Sequence, residues 1–338
     1  MKKISIKDVA REAGVSITTV SRALNGYSDV SEKTRRKIQE VVRQLNYAPD
    51  VSARALGGKA DTTIALLVSE LLPTNESGFV YGLISGLFYQ CNKLGCEFVL
   101  LVTDTMKQEK MSFLQLCKRK NLSGVVVSGL KIDDDYYHEI INTDIPCAII
   151  DMEAYGKNKC EITIDNIQAS QDAVEYLIDL GHKKIGMLDG GEKADVSGQR
   201  RIGYEKALKK AELPMIPEYI RHCDFREDKA YEQTQRLLNE FPEITALFCA
   251  SDLMAIGAIR AIKDMGKKVP GDISIIGFDD IPLAPYFNNG ITTIHQSPQQ
   301  MGQESGKLVW NMIKGQAVDK KNILPYELIV RGTTRRIN

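Results

Sequence analysis

The chain has 338 residues, 43% of them apolar and 26% charged, and its 44 basic side chains cancel its 44 acidic ones. At about 150 residues per domain this allows two to three domains with an ample core. No run approaches the roughly 18 apolar residues of a membrane span. The charged start MKKISIKDVAREAG has no apolar signal core. Seven scattered cysteines without a CxxC and four unclustered histidines argue against a disulfide framework or a zinc site, so a cytoplasmic protein with no metal and no cofactor is expected.

The neutral total hides a split. Residues 1–60 carry twelve lysines and arginines against six aspartates and glutamates, an excess of six positive charges, and the remainder carries the matching negative excess. A basic head on an acidic body suits a head that meets a polyanion.

In the head, Ile6, Val9, Ala10 and Ala13 fall on one helical stripe. Ser5 is placed as its N-cap, with Asp8 three residues on instead of the usual Glu or Gln. Gly14 ends the helix, because a tight turn between helices needs a residue that tolerates positive φ. Ser16 caps a second helix that turns Val15, Val20 and Leu24 inward, with Ala23 near them, and leaves Ile17, Thr18, Ser21, Arg22 and Asn25 facing out. Ser31 opens a third, burying Ile38, Val41, Val42 and Leu45 and ending before YAPD, where Pro49 prevents continuation. This is a helix-turn-helix pattern. Hydroxyls bond phosphates and base edges, and arginine bonds guanine bidentately; a plain three-helix bundle with a polar face is the bland alternative. Residues 50–58, DVSARALGG, read as a linker.

From Thr63 the chain alternates apolar runs with helical periods. Strands are expected at 64–71, 97–104, 124–130, 147–152, 184–190, 219–225, 246–252 and 273–280. Such alternation predicts two parallel α/β sheets covered on both faces. Ligands in such folds bind outside the carboxyl ends of the strands. Those ends carry Asp104, Asp151, Asp189, Phe225, Ser251–Asp252 and Asp279–Asp280. Carboxylates and one aromatic suit a polyhydroxylated ligand. Each aspartate also reads as a helix cap, the preferred reading for Asp252 and Asp280. There is no Ser–His–Asp order, P-loop or dinucleotide fingerprint, so no enzyme is expected.

The strings ISIKDVAREAGVSITTVSRALNG, VSEKTRRKIQEVVRQLNYAPD and VSARALGG resemble the DNA-binding head of the lactose-repressor/galactose-repressor (LacI/GalR) family. RRIGYEKAL, ASDLMAIGAIRAI, VPGDISIIGFDDIPLAPYF and TTIHQSPQQMG resemble its effector domain. The resemblance implies a small all-α helix-turn-helix head over 1–48, a hinge helix and linker over 49–60, and a two-lobed periplasmic-binding-protein-like α/β body of parallel sheets over 61–338. The first lobe would take about 61–160 and 290–320, the second about 161–289 and 321–332.

It further implies that Ile17, Thr18 and Arg22 read bases, while Ser5, Ser16, Thr19, Ser21, Asn25, Ser31 and Thr34 touch backbone or orient the helix. Ala53 and Leu56 would enter the minor groove from a hinge helix. Phe79, Asp151, Arg200, Phe225, Ser251 and Asp279 would bind effector, Ser251 standing where many members have Asn. The loop SELLPTNESGFVYGL departs from the family pattern. The function implied is a homodimeric repressor of carbohydrate-utilisation genes, released from double-stranded operator DNA by a small sugar-type effector. A purine or a phosphocarrier-protein corepressor is the alternative within the family, a sugar-binding protein or carbohydrate enzyme the alternative outside it. The chain stops at VRGTTRRIN without the leucine heptad of tetrameric members, so a dimer is expected.

Overall fold

The computed structural model describes residues 4–24, 27, 29–45, 47, 62–69 and 78–337. The chain divides into two compact units, 1–62 and 63–338.

Among its described residues the head has three helices, α1 (Ile6–Ala13), α2 (Ile17–Leu24) and α3 (Glu32–Gln44). Asp8 Oδ2 accepts from both the backbone N (3.0 Å) and the hydroxyl (2.7 Å) of Ser5, so the shorter acid closes the first turn. Gly14 takes φ 65° at the turn, as a left-handed C-cap requires. Ser16 and Ser31 accept from the backbone N of Thr19 (3.0 Å) and Thr34 (3.2 Å), each capping the helix that follows. Val9, Ala13, Val20 and Ile38 are fully buried where the helices meet, with Ala10, Ala23, Val30 and Val41 around them. The third helix stops at Gln44, before YAPD as expected.

The described residues of the body form two six-stranded sheets. The first is built from β1 (Thr63–Ser69), β2 (Glu97–Thr103), β3 (Gly124–Ser128), β4 (Cys147–Ile150), β5 (Lys159–Ile164) and β11 (Lys321–Leu324), in the order β11-β5-β4-β3-β1-β2. The second takes β6 (Ile185–Asp189), β7 (Ile220–His222), β8 (Ala246–Cys249), β9 (Ser274–Asp279), β10 (Thr292–His295) and β12 (Glu327–Ile329), in the order β12-β10-β9-β8-β6-β7. Every pairing is parallel except β10 with β12. Helices α4 (Gly78–Leu94), α5 (Thr105–Lys110), α6 (Phe113–Arg119), α7 (Asp135–Ile141) and α12 (Pro298–Ile313) belong to the first lobe. Helices α8 (Asn166–Asp179), α9 (Asp195–Lys210), α10 (Glu227–Glu240) and α11 (Asp252–Asp264) belong to the second. Strands β1, β3, β4, β5, β6 and β8 are buried along their whole length, as parallel strands under two helical layers must be.

Sheet membership moves the lobe bounds. Residues 292–295 pair in the second lobe and 321–324 in the first, the reverse of the sequence expectation. The chain therefore crosses between lobes three times, at 164–166, 295–298 and 324–327. The eight expected strands are present, most of them shorter, and β5, β10, β11 and β12 are additional. Strand β5 was hidden by charge. Its Lys159 and Glu161 are both buried, the lysine donating to the carbonyls of Thr143 (2.8 Å), Ile145 (2.8 Å) and Lys157 (3.0 Å), the glutamate paired with Lys321 at 3.3 Å.

Candidate functional site

On the head, the outer face of α2 presents Ile17, 44% exposed, with Thr18 and Arg22 also exposed. Thr19 and Ser21 are half-buried. The hydroxyls of Ser16 and Thr19 lie 2.8 Å apart, as do those of Ser31 and Thr34. Ser5, Ser16 and Ser31 thus serve the ends of α1, α2 and α3, and Ile17, Thr18 and Arg22 are the outward-facing side chains of α2. Asn25, Ala53 and Leu56, and the hinge segment around the last two, lie outside the described residues.

In the body, the carboxyl ends of both sheets open on one cleft of about 810 Å³, within the range of small-molecule sites. All six expected effector residues, Phe79, Asp151, Arg200, Phe225, Ser251 and Asp279, line it. The polar floor centres on Arg200, which projects from α9 and is only 3% exposed. Its guanidinium lies 3.6 Å over the Phe278 ring. Nε donates to Asn166 Oδ1 at 3.0 Å, and Nη1 donates to the Ala250 carbonyl and stands 3.8 Å from Asp279 Oδ1. Gln296 Nε2 donates to the same Asp279 oxygen at 2.6 Å, leaving the buried Gln296 Oε1 without a donor.

Across the cleft, Asp151 accepts from Thr163 Oγ1 at 2.7 Å, and Thr163 accepts from Asn166 Nδ2 at 3.0 Å. A directed chain thus runs from Arg200 through Asn166 and Thr163 to Asp151, from one lobe to the other through the first crossover. Burial pushes the Asp279 carboxyl up to about 6 against the opposing pull of Arg200, and it raises Asp151 for the same reason.

Three floor residues depart from ordinary backbone geometry. Asp151 (φ 56°), Phe225 (φ 54°) and Asp279 (φ 108°) are non-glycine residues with positive φ, a conformation that costs energy and concentrates at functional sites. Phe225 is seated against Gly190, where a Cβ would lie 2.0 Å from the ring. Ser251 has two duties: it lines the cleft and caps α11 by accepting from Met254 N at 3.2 Å.

The other carboxylates at strand ends are structural. Asp104 caps α5, accepting from Lys107 N at 2.9 Å. Asp189 holds Gly191 N (2.8 Å) and His222 Nδ1 (2.6 Å). Asp252 follows the capping Ser251 and is wholly buried, accepting from Thr293 Oγ1 (2.6 Å) and Ile281 N (2.9 Å), so it is a core acceptor and not the cap expected of it. Asp280 pairs with His295 (3.0 Å) and Arg331 (2.7 Å). Sequence reasoning missed Gln296, Asn166 and Thr163. The first two stand on crossovers and the third at the end of the unrecognised β5.

At the mouth, the lobes touch. Ile132 N donates to the Lys193 carbonyl at 3.1 Å, and Lys193 Nζ pairs with Asp133 at 2.6 Å. Gly78 approaches Pro282 so closely that a Cβ would lie 2.4 Å from its ring.

Residues 5–50 match the family model described as bacterial regulatory proteins, lacI family, and residues 174–334 match the periplasmic binding protein-like domain. The HTH-type transcriptional repressor PurR of Vibrio vulnificus (strain CMCP6) is 32% identical over 337 residues, covering 99% of each chain. The crystal structure of the Lac repressor dimer bound to operator and the anti-inducer ONPF matches with a TM-score of 0.85 at 30% identity, covering 99% of this chain and 100% of that one. The complex of the transcriptional regulator CelR with cellobiose matches with a TM-score of 0.75 at 27% identity, covering 98% and 99%.

Proposed function

The chain belongs to the lacI family of bacterial regulatory proteins, and from that premise we propose that it is a cytoplasmic, homodimeric repressor of carbohydrate-utilisation genes, released from its operator by a small sugar. Two heads read a pseudo-palindromic site with Ile17, Thr18 and Arg22 toward bases, half-sites about one helical turn apart. No described helix is long and apolar enough to cross a membrane. The protein has no catalytic role in this reading: Asp279 and Asp151 are acceptors already oriented by Gln296 and Thr163.

The observation that carries the sugar assignment is the floor of the cleft. One buried guanidinium is flanked by two carboxylates, and the Phe225 ring lines the cleft beside them. Carboxylates accept from vicinal hydroxyls, arginine donates to hydroxyl or ring oxygens, and one aromatic face covers the C–H side of a pyranose. A purine corepressor is the second reading, favoured by the full-length PurR relative. A purine prefers a sandwich of rings, and the aromatics lining the cleft among the described residues are Phe79, Phe225 and His222. In either case the ligand acts only through its different affinity for two lobe arrangements.

The test is a thermal-shift screen of mono- and disaccharides, sugar phosphates and purines, followed by operator binding in the presence of each hit. A ligand of the folded state raises Tm by mass action. A sugar that both raises Tm and releases the operator is the expected outcome, and a purine that tightens operator binding replaces the sugar reading. Asp279→Ala is expected to erase the shift while operator affinity stays within about threefold; an intact response in that variant places the site elsewhere.

A further inference from the structure

The arginine assigned to base reading does not stand free. Arg22 Nη2 lies 2.6 Å from Asp29 Oδ2, and its guanidinium sits 5.1 Å from the centre of the Tyr27 ring. The segment that supplies both partners is fastened from α3. Arg35 donates to the carbonyl of Ala23 (3.1 Å) and to that of Tyr27 (2.7 Å). Tyr27 N donates to the Arg22 carbonyl at 3.1 Å, and Val30 is buried in the head core. The side chains of Arg22 and Asp29 remain 47% and 52% exposed, so the pair forms on the surface that would face DNA.

An unpaired arginine there would find a phosphate on any duplex, and each such contact adds affinity without sequence information. Paired with Asp29, the guanidinium offers phosphates little net charge. An exposed ion pair of this kind is weak. A guanine presenting N7 and O6 together returns two hydrogen bonds to the same fork and can displace it.

Resting on the reading of Arg22 as a base-contacting residue, we propose that Asp29 is a specificity-determining positioning residue. It holds the Arg22 guanidinium off the phosphates of unrelated DNA and yields it to the guanine of the operator. Specificity here comes in part from weakening the wrong complex.

The test uses the full-length protein and two duplexes of equal length: one enriched from a random pool by the wild-type protein, the other of mixed sequence. Affinity for each is measured across a salt series. Asp29→Asn is expected to tighten the mixed duplex about three- to tenfold and to steepen its log K against log salt by about one, the mark of one more phosphate contact. The enriched duplex gains less, so the ratio of affinities falls. Asp29→Glu keeps the charge and restores the wild-type ratio. In an Arg22→Ala background Asp29→Asn is expected to change nothing. If its effect persists there in full, Asp29 acts by plain repulsion of phosphates and the proposal fails while base reading stands. It fails equally if Asp29→Asn leaves the mixed-duplex affinity and salt slope unaltered. If Arg22→Ala itself leaves the ratio intact, the base-reading role falls and takes the proposal with it.

Discussion

At the floor of the cleft, Asp279 is largely buried and its carboxyl is pushed up to about 6, burial outweighing Arg200 and the Gln296 hydrogen bond. An ionised carboxylate accepts strong charge-assisted bonds from ligand hydroxyls, so such a ligand favours the deprotonated form. Effector affinity is therefore expected to be flat above pH 7 and to fall about tenfold per unit below pH 6. Calorimetry in two buffers of different ionisation enthalpy would show proton release on binding below pH 6, and a pH-independent affinity between 5 and 7 would remove Asp279 from the contact. The sign for the free protein is opposite to that of a salt-bridged acid. Its folded carboxyl keeps a proton longer than the unfolded one, so this group lowers stability as pH rises from about 4 through 6. Residue type alone did not separate Asp279 from Asp104 or Asp252. All three end apolar runs, and what distinguishes them is whether the turn that follows faces the cleft, the edge of a sheet or the core.

Among the elements, helix pairs in both lobes meet through glycine. In the first lobe, Gly86 of α4 lies so close to α12 that a Cβ would stand 2.0 Å from the Gln299 carbonyl oxygen, and Gly302 of α12 returns the contact against Leu83 at 2.5 Å. In the second, Gly203 of α9 would meet the Ile167 carbonyl at 2.3 Å and Gly257 of α11 the Glu227 carbonyl at 2.3 Å. These neighbours are backbone and cannot swing aside. Gly86→Ala is expected to destabilise the body by about 1–3 kcal/mol through overpacking and to lower Tm by several degrees. Gly198→Ala, at an exposed position of α9 with nothing within 4 Å, is expected to be neutral or to stabilise by about 0.4–1 kcal/mol. Equal melting of the two variants would contradict the close helix approach. The string GLISG, which carries Gly86, belongs to no phosphate-binding fingerprint, so packing is the role its glycines have in sequence. The partner helix was not legible there, since α12 is more than 200 residues further along the chain.

For the body as a whole, three crossovers join the lobes on one side of the cleft and the Lys193–Asp133 bridge with the Ile132–Lys193 backbone bond joins them on the other. Floor and hinge are connected: Gln296 and Asn166 stand on two of the crossovers and hold Asp279 and Arg200. A ligand that pulls on either floor residue therefore acts on the segments about which the lobes turn. Lys193→Ala is expected to speed effector release a few-fold in stopped-flow measurements without altering the affinity for DNA in the absence of effector. The charge-swapped pair Lys193→Asp with Asp133→Lys is expected to restore the slow rate. An unchanged release rate in Lys193→Ala would mean that the backbone contact alone closes the mouth.

By itself, the sequence determined the local and the periodic: the caps at Ser5, Ser16 and Ser31, the left-handed Gly14, the inward stripe of the head, and the eight apolar runs of the body. Each of these depends on neighbours within a few residues, so their signals survive in one dimension. The family strings added the six residues that share the cleft. Tertiary structure alone decided which lobe owns β10 and β11, because a strand's sheet is set by its hydrogen-bonding neighbour and not by its order in the chain. It alone brought Gln296, Asn166 and Thr163 to the floor, since short strands and crossovers carry little hydrophobic pattern. It alone placed Asp29 on Arg22, because an ion pair between exposed side chains leaves no periodic trace in the sequence.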